Sequence, residues 1–573
     1  MLLEGGAAKS PLRPDEWANY LRDFPDPVLR DNFLRGLREG FPLGYVGPRT
    51  TYISPQQRYT QREREQIITE LDNEVRLGRM GGPYNSLPSS GPFSYTRTNP
   101  TFCIPKKDPT KLRRIDHFSF PRGSSVNDAI DKSDFSVSYA TVDSLARAIA
   151  DCPVGTLVSN FDIRDAYRQL HVNVHDVGLL CNEILGRFYI QFRAPFGPRS
   201  LPGIFDTLTQ MFLWILMIYT TILKALGILD DVTMLHSVTY DDYGKAMEEY
   251  TEALQICKDL GVPLADEKSQ PPATTFRAMG LIWNTIDKTC KIPNEKIVEY
   301  TGMIDDLMED YTTPEDTTLH CTVPVMRSLL GKLVYVSRVI RVGRTRLFHL
   351  FKCLRGAEST ARKRFGAATL KMKRFPGKLN IVNLSTEATD DLRWWQAVLL
   401  DVPTHYVILR NLSPSYITTT PHVTTDASGW GIGGFLHYPT ADTYFYFSIR
   451  WRYGLENRLH STFGELFALV VCAVLWDSDW STHHIRWSTD CQPHVTGLYK
   501  IRTQAPELLP LHDYLDLRQA RGQYVYAAKH LAGSKNIIAD NLSRGIVEVP
   551  SDWIRCHLDM DQLPMPFGEK LCW

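Results

Sequence analysis

Seven acidic residues stand out by type and spacing. Phe161-Asp162-Ile163-Arg164-Asp165-Ala166-Tyr167 delivers a carboxylate just after an apolar run, and about seventy residues on Ile228-Leu229-Asp230-Asp231-Val232 sets two adjacent carboxylates between apolar residues. Burying such a pair among strand residues is expensive unless a cation neutralises it. Mg2+ takes hard carboxylate oxygens and leaves room for phosphates. Two such ions ~3.5–4 Å apart can activate a hydroxyl and stabilise the leaving oxygen in phosphoryl transfer. A tight turn with solvated aspartates uses the same residues, so the pair alone leaves both readings open.

The remaining four acids fall in the C-terminal third. Asp426 follows Thr424-Thr425 and precedes the glycine-rich Gly429-Trp430-Gly431-Ile432-Gly433-Gly434; Glu465 lies in the apolar stretch Ser461–Trp476; Asp490 ends Ile485–Thr489; Asp540 follows Ile537-Ile538-Ala539. His530 stands ten residues before Asp540, and an imidazole side chain can move protons. Singly, each has an ordinary role in a turn, a helix surface, a cap or a loop.

The elements that must position these groups follow from periodicity and punctuation. Tyr59–Arg79 reads as an amphipathic helix ended by Gly81-Gly82-Pro83, with a loop over Ser86–Gly91. Thr101–Pro105, Leu157–Phe161 and Arg187–Phe192 read as strands, Gly203–Leu223 as a helix, and Ile228–Leu235 as strand around its aspartates. Asp241–Leu260 reads as a helix, Thr275–Thr285 as a hairpin, residues 295–375 as helical and Pro376–Pro421 as mixed. From His422 a new β/α pattern begins, and the alternation in both halves predicts a multidomain α+β or α/β chain.

The 573 residues, 43% hydrophobic and 22% charged, suit several packed domains and exclude wholesale disorder. Formal net charge is zero, but fourteen basic residues between Arg327 and Arg374 face one acid, Glu358, and Glu295–Asp316 holds eight acids against Lys296. The basic run predicts a phosphate-contacting surface, with Arg338, Arg341, Arg344 and Arg346 at its centre; a solvated helix face is the alternative. Eleven cysteines without a C-x-x-C pair predict neither a zinc site nor a disulfide framework. The N-terminus lacks a signal-peptide core, and the apolar run Met211–Leu223, 13 residues long, is short of the ~20 that span a bilayer. These features predict a soluble intracellular protein, cytoplasmic or nuclear, without membrane contact.

Order and spacing carry a resemblance. Phe161-Asp162 with Tyr167, followed by Leu229-Asp230-Asp231, resembles the palm of reverse transcriptases, with Ile228 where that family commonly has tyrosine. Phe102–Asp108 followed by Leu112–Asp116 resembles the fingers hairpin whose basic residues hold the incoming triphosphate, which implies Lys107 and Arg113, with Arg114 as the substitute. Ala194-Pro195-Phe196-Gly197-Pro198 resembles the template- and nucleotide-contacting loop, which implies Phe196 and Gly197. Tyr167 would be the wall that rejects a ribose 2′-hydroxyl, with core packing as its other role. Lys268 matches a lysine proposed to protonate pyrophosphate. Asp426, Glu465, Asp490 and Asp540, with His530, resemble the ribonuclease H site. The similarity covers roughly residues 11–545, and Leu37–Phe41, Gly82-Pro83-Tyr84, Phe120–Asp128 and Ala539–Arg544 most resemble DIRS-type retroelements.

The resemblance implies an N-terminal extension (1–58), fingers and palm (59–294), thumb (295–375), connection (376–421), ribonuclease H (422–545) and a C-terminal tail (546–573). It implies two Mg2+ per site, with Mn2+ possible, and as partners RNA template, RNA–DNA hybrid, DNA duplex and deoxynucleoside triphosphates, with other retroelement proteins in addition. The contrary readings are a domesticated or inactive scaffold that binds RNA without catalysis, and a polymerase whose ribonuclease H is silent.

Overall fold

The computed structural model describes residues 10–55, 57–86, 93–105, 110–309, 319–365, 381–401, 405–407, 420–451, 461–481, 483–500 and 508–558. Lys107, most of the loop expected at 86–91, much of 376–421 and the tail beyond 558 lie outside them. The chain divides into two compact units: residues 1–145 with 152–278, and residues 146–151 with 279–573. The cut falls sixteen residues before the boundary expected at 294.

In the first unit a four-stranded antiparallel sheet runs in the order Lys224–Ile228, Asp231–Thr239, Thr156–Asp162, Gln270–Ala273. The apolar run after Ser200 forms the helix Leu201–Tyr219, four residues shorter at its end than the reading to Leu223. By length and composition it passes the test for a membrane span, yet 67% of its apolar window is buried, and Met211, Phe212, Ile215 and Leu216 lie fully in the core. This is the burial of a core helix, with Met217 and Ile218 of its last turn left exposed. The helix Tyr243–Leu260 packs on the sheet, against Asp231–Thr239 and Gln270–Ala273, and is capped by the Asp242 carboxylate on the Lys245 amide at 3.1 Å.

A capping box starts the helix Gln61–Arg76: Thr60 N–H donates to Glu63 at 2.8 Å while Glu63 N–H donates to the Thr60 hydroxyl at 3.3 Å. Ile67 and Leu71, four apart, form a small core with Met80, Ile184 and Tyr189. That core sits at the three-stranded sheet Met80–Tyr84, Arg187–Gln191, Cys181–Ile184. Thr101–Pro105 and Leu112–Asp116 form a separate hairpin.

In the second unit the antiparallel strands Leu281–Asn284 and Thr289–Lys291 precede helices Asn294–Glu309, Val323–Val336, Phe348–Phe365 and Thr386–Asp401. The stretch expected to be helical throughout contains a strand, His320–Thr322, paired with Ile381–Asn383. The basic run is partly spent inside the protein. Arg327 pairs with Glu358 at 2.6 Å and Lys332 with Glu299 at 2.9 Å. Arg346 is turned inward, 12% exposed, and bridges Asp391 at 3.2 Å and Asp513 at 2.5 Å with its guanidinium over the Trp394 ring. Its assignment to a phosphate surface is therefore corrected, because a largely buried cation bound to buried Asp391 and half-buried Asp513 and stacked on an indole has no face left for a polyanion; Arg338, Arg344, Lys352 and Arg355 are exposed.

The unit ends in a six-stranded mixed sheet, in the order Val525–His530, His484–Thr489, His422–Ala427, Gly431–Tyr438, Thr443–Arg450, Ile554–Arg555. The first three strands are mutually parallel, the hairpins that turn after Ala427 and after Tyr438 are antiparallel, and Ile554–Arg555 adds parallel to Thr443–Arg450. Helix Ser461–Trp476, with Leu466 to Ala473 completely buried, covers one face together with Leu509–Gly522. Helix Ile537–Ser543 lies on Gly431–Tyr438, where a Cβ at Gly433 would overlap the Ser543 amide nitrogen.

Candidate active sites

The first cluster grows from the central sheet of the N-terminal unit. Asp162 closes its strand directly opposite Asp231 in the antiparallel ladder. Asp231 also pairs across the next hairpin with Ile228, leaving Leu229 and Asp230 as a two-residue turn. Leu229 has φ 53°, the left-handed region usually left to glycine. Its carbonyl is held by the Thr209 hydroxyl at 2.8 Å and its side chain packs on the core. The adjoining Asp230 carbonyl accepts the Ile163 amide at 2.9 Å. A strained turn held from several sides fixes where adjacent acids point.

The local electrostatics are those of crowded anions. Burial first, then repulsion from Asp162, raises the Asp230 carboxyl above its ordinary value. Asp231 is exposed as a residue, yet its carboxyl stands in the crowded corner, where burial followed by repulsion from Asp230 and Asp162 pushes it up to about 6. The Lys268 ammonium meets both oxygens of Asp162, at 3.0 and 3.1 Å, and that bond raises its own pKa. Raised carboxyls mark uncompensated negative charge, and an all-oxygen donor set suits a hard divalent cation. The residues present therefore fit Mg2+ or Mn2+ by their donor chemistry.

Around this corner Tyr167, 7% exposed, lies against the rings of Phe196 and Phe205 at 4.9 and 5.4 Å between centroids. Burial first, then the Tyr139 and Asp230 charges, holds its hydroxyl protonated to about 12. Phe196 is 60% exposed. Gly197 has φ 128°, and a Cβ there would stand 2.8 Å from the Phe118 ring. On the hairpin Arg113 is exposed, whereas the Arg114 side chain is 6% exposed and turned to Asp116 at 3.5 Å. Asp116 in turn accepts from Thr101 at 2.9 Å, Gln191 at 3.0 Å and Asn182 at 3.2 Å, a buried network the sequence did not disclose.

The second cluster lies at one end of the six-stranded sheet. Ligand oxygens of Asp426, Glu465 and Asp490 lie within 4.8 Å of one another. Glu465 is 4% exposed; it accepts the Ala427 amide at 3.0 Å and the Thr489 hydroxyl at 3.1 Å, so the helix is tied to two strand ends. Burial, followed by repulsion from Asp426 and Asp490, raises Glu465 to about 8. Asp426 rises to about 6, with burial the largest cause and the Ser543 hydroxyl at 2.8 Å opposing it. Such a trio is again a hard-cation donor set.

Asp540 stands outside that trio. Its Oδ1 is bound by Arg544 at 2.8 Å, although its charge is still felt at Asp426. His530 is exposed and pairs with Thr489 in the parallel ladder, next to Asp490. Ser543, Thr489 and Asn536, which reaches Asp426 at 3.4 Å, escaped the sequence reading. Ser543 was within sight, three residues after Asp540 on the same short helix.

No protein-family model matches the sequence, and no curated protein matches it. Among solved structures, the foamy viral protease–reverse transcriptase in complex with RNA/DNA hybrid is similar over 96% of this chain and 65% of that chain, at 12% identity and TM-score 0.46. This chain thus spans just under two thirds of that protein. The dRH form with double-stranded DNA is similar over 90% of this chain and 81% of that chain, at 12% identity and TM-score 0.47. A further complex with double-stranded DNA gives 90% and 96%, at 12% identity and TM-score 0.45.

Proposed function

We propose that the chain is an RNA- and DNA-directed DNA polymerase joined to a ribonuclease H, from a retroelement of the DIRS type. The observation that carries the reading is the pairing of Asp162 with Asp231 beside the Asp230 turn, together with a separate trio of acids within 4.8 Å on another sheet. Asp162, Asp230 and Asp231 would hold Mg2+ in the first site, and Asp426, Glu465 and Asp490 would hold it in the second, with Asp540 as the further acid of that set. The ions supply Lewis acidity and lower the pKa of the attacking hydroxyl or water.

The chain's own groups do the rest. Tyr167 and Phe196 present an aromatic wall on which a nucleotide sugar and base rest, and Arg113 neutralises the triphosphate from the hairpin, with Lys107 as its partner. Lys268, bonded to Asp162, is the group that would give a proton to departing pyrophosphate. His530, at the rim of the second site, carries protons to or from the cut strand.

Primer extension and RNA–DNA hybrid cleavage, measured separately, test the proposal. Asp230→Ala should abolish extension and spare cleavage, and Asp490→Ala should do the reverse. Full extension by Asp230→Ala overturns the first assignment, intact cleavage by Asp490→Ala overturns the second, and a wild-type protein lacking both activities supports the scaffold reading.

A further inference from the structure

Beneath the first site lies a buried polar relay. Ser159 donates its hydroxyl to His236 Nε2 at 2.9 Å, and His236 Nδ1 donates to Glu249 at 2.9 Å. Ser159 and His236 are completely buried and Glu249 is 2% exposed. No substrate reaches this serine, so a nucleophilic triad is excluded. Glu249 also accepts the Ser237 amide at 3.1 Å, the Thr221 hydroxyl at 2.6 Å and the Ser237 hydroxyl. Burial would push its carboxyl up, but these bonds hold it below its ordinary value, while burial keeps His236 below its own. The relay is thus a neutral imidazole between a hydroxyl and a charged carboxylate.

Its place in the ladder is the informative fact. From Asp162↔Asp231 the register runs unbroken to Val158↔Leu235, then steps to Thr156↔Thr239. Leu157 therefore faces three residues, His236, Ser237 and Val238, a bulge with two residues to spare. Were the register of Thr156↔Thr239 continued without the bulge, Asp162 would sit opposite Thr233. A two-residue slip keeps every side chain on its own face, so hydrophobic alternation does not forbid it. It would carry Asp162 about 7 Å along its neighbour, away from Asp231.

We propose that Ser159, His236 and Glu249 form a register pin: His236, at the bulge, is a positioning residue that sets Asp162 opposite Asp231. Ser159 ties the pin to the Asp162 strand, Ser237 and His236 tie it to the Asp231 strand, and Thr221 ties it to the segment that leads into Lys224–Ile228. Glu249, from the helix Tyr243–Leu260, collects all of them. The inference rests on the polymerase reading of the site, since it names what aligns that site's acids.

The test uses the full chain with His236→Leu, Glu249→Gln and Ser159→Ala. A misplacement of about 1 Å at reacting groups lowers turnover on the order of 100-fold. The expected result for His236→Leu and Glu249→Gln is extension turnover down on that scale, KM for primer–template unchanged, and weaker Mn2+ binding by electron paramagnetic resonance in an Asp490→Asn background. Hybrid cleavage should stay at the wild-type level in the single variants. Ser159→Ala, which loses one hydroxyl, should show the same pattern to a smaller degree and serves if the larger changes prevent folding. Wild-type turnover in all three variants overturns the pin, and so does a reduced amount of active enzyme with unaltered metal binding. Asp230→Ala runs alongside: if it extends normally the polymerase reading falls, whereas its inactivity with normal pin variants removes only the pin.

Discussion

Replacing Glu465 with glutamine should stabilise the metal-free protein near neutral pH while destroying hybrid cleavage. Glu465 is 4% exposed, and burial with two acidic neighbours raises its carboxyl from an ordinary 4.5 to about 8. Because the folded-state value is the higher one, the folded protein holds this proton where the unfolded chain has released it. The proton-linked stability is therefore complete below about pH 4.5 and is lost progressively as pH rises through 8. At pH 7 some 2.5 units of that interval have been crossed, which at ~1.36 kcal/mol per unit costs roughly 3 kcal/mol. Glutamine never ionises, but its amide cannot serve both the Ala427 amide and the Thr489 hydroxyl as acceptor, a loss of about 1 kcal/mol. The net expectation is about 2 kcal/mol of stabilisation at pH 7, shrinking to nothing or reversing at pH 4.5. Native-state hydrogen exchange of the helix Ser461–Trp476, with a chelator present, reads this local stability across pH. Added Mg2+ should stabilise wild type far more than Glu465→Gln. A destabilised glutamine variant at pH 7, or a difference from wild type that does not vary with pH, would refute the reasoning.

Other consequences follow from named contacts. Arg346→Met leaves Asp391 with His349 alone and Asp513 half-exposed without its cation, and should destabilise the second unit by about 1–3 kcal/mol, while the salt dependence of duplex binding is unchanged. Neutralising exposed Arg338 and Arg344 together should instead lower the slope of log affinity against log salt by about 2, read by fluorescence anisotropy. Gly433→Ala drives a methyl into the Ser543 amide and should cut hybrid cleavage at least about tenfold while sparing primer extension, a displaced Ser543 being enough to misplace Asp426. Tyr167→Val opens the wall against Phe196 and Phe205 and should raise ribonucleotide incorporation about tenfold or more relative to deoxynucleotides, seen as alkali-labile product.

What could be read from the residues alone was local. An acid after an apolar run, two acids at a tight turn, a glycine-rich turn after Asp426 and an acid within an apolar helix are each determined within a few positions, because strand alternation, turn chemistry and helical periodicity act over that range. The strands at Thr101–Pro105 and Arg187–Gln191 and the core helix after Ser200 were legible for the same reason. What only the tertiary structure decided depends on which distant segments meet. Sequence order does not say that a bulge at His236–Val238 turns a ladder facing Thr233 into one facing Asp231, nor that Arg346 spends its charge on Asp391 and Asp513. It does not say that Asp540 pairs with Arg544 and stands outside the trio at Asp426, or that Arg114 turns inward where Arg113 stays exposed. A charged side chain takes its partner from whatever packing brings within about 4 Å, and that distance is set by the folded chain as a whole.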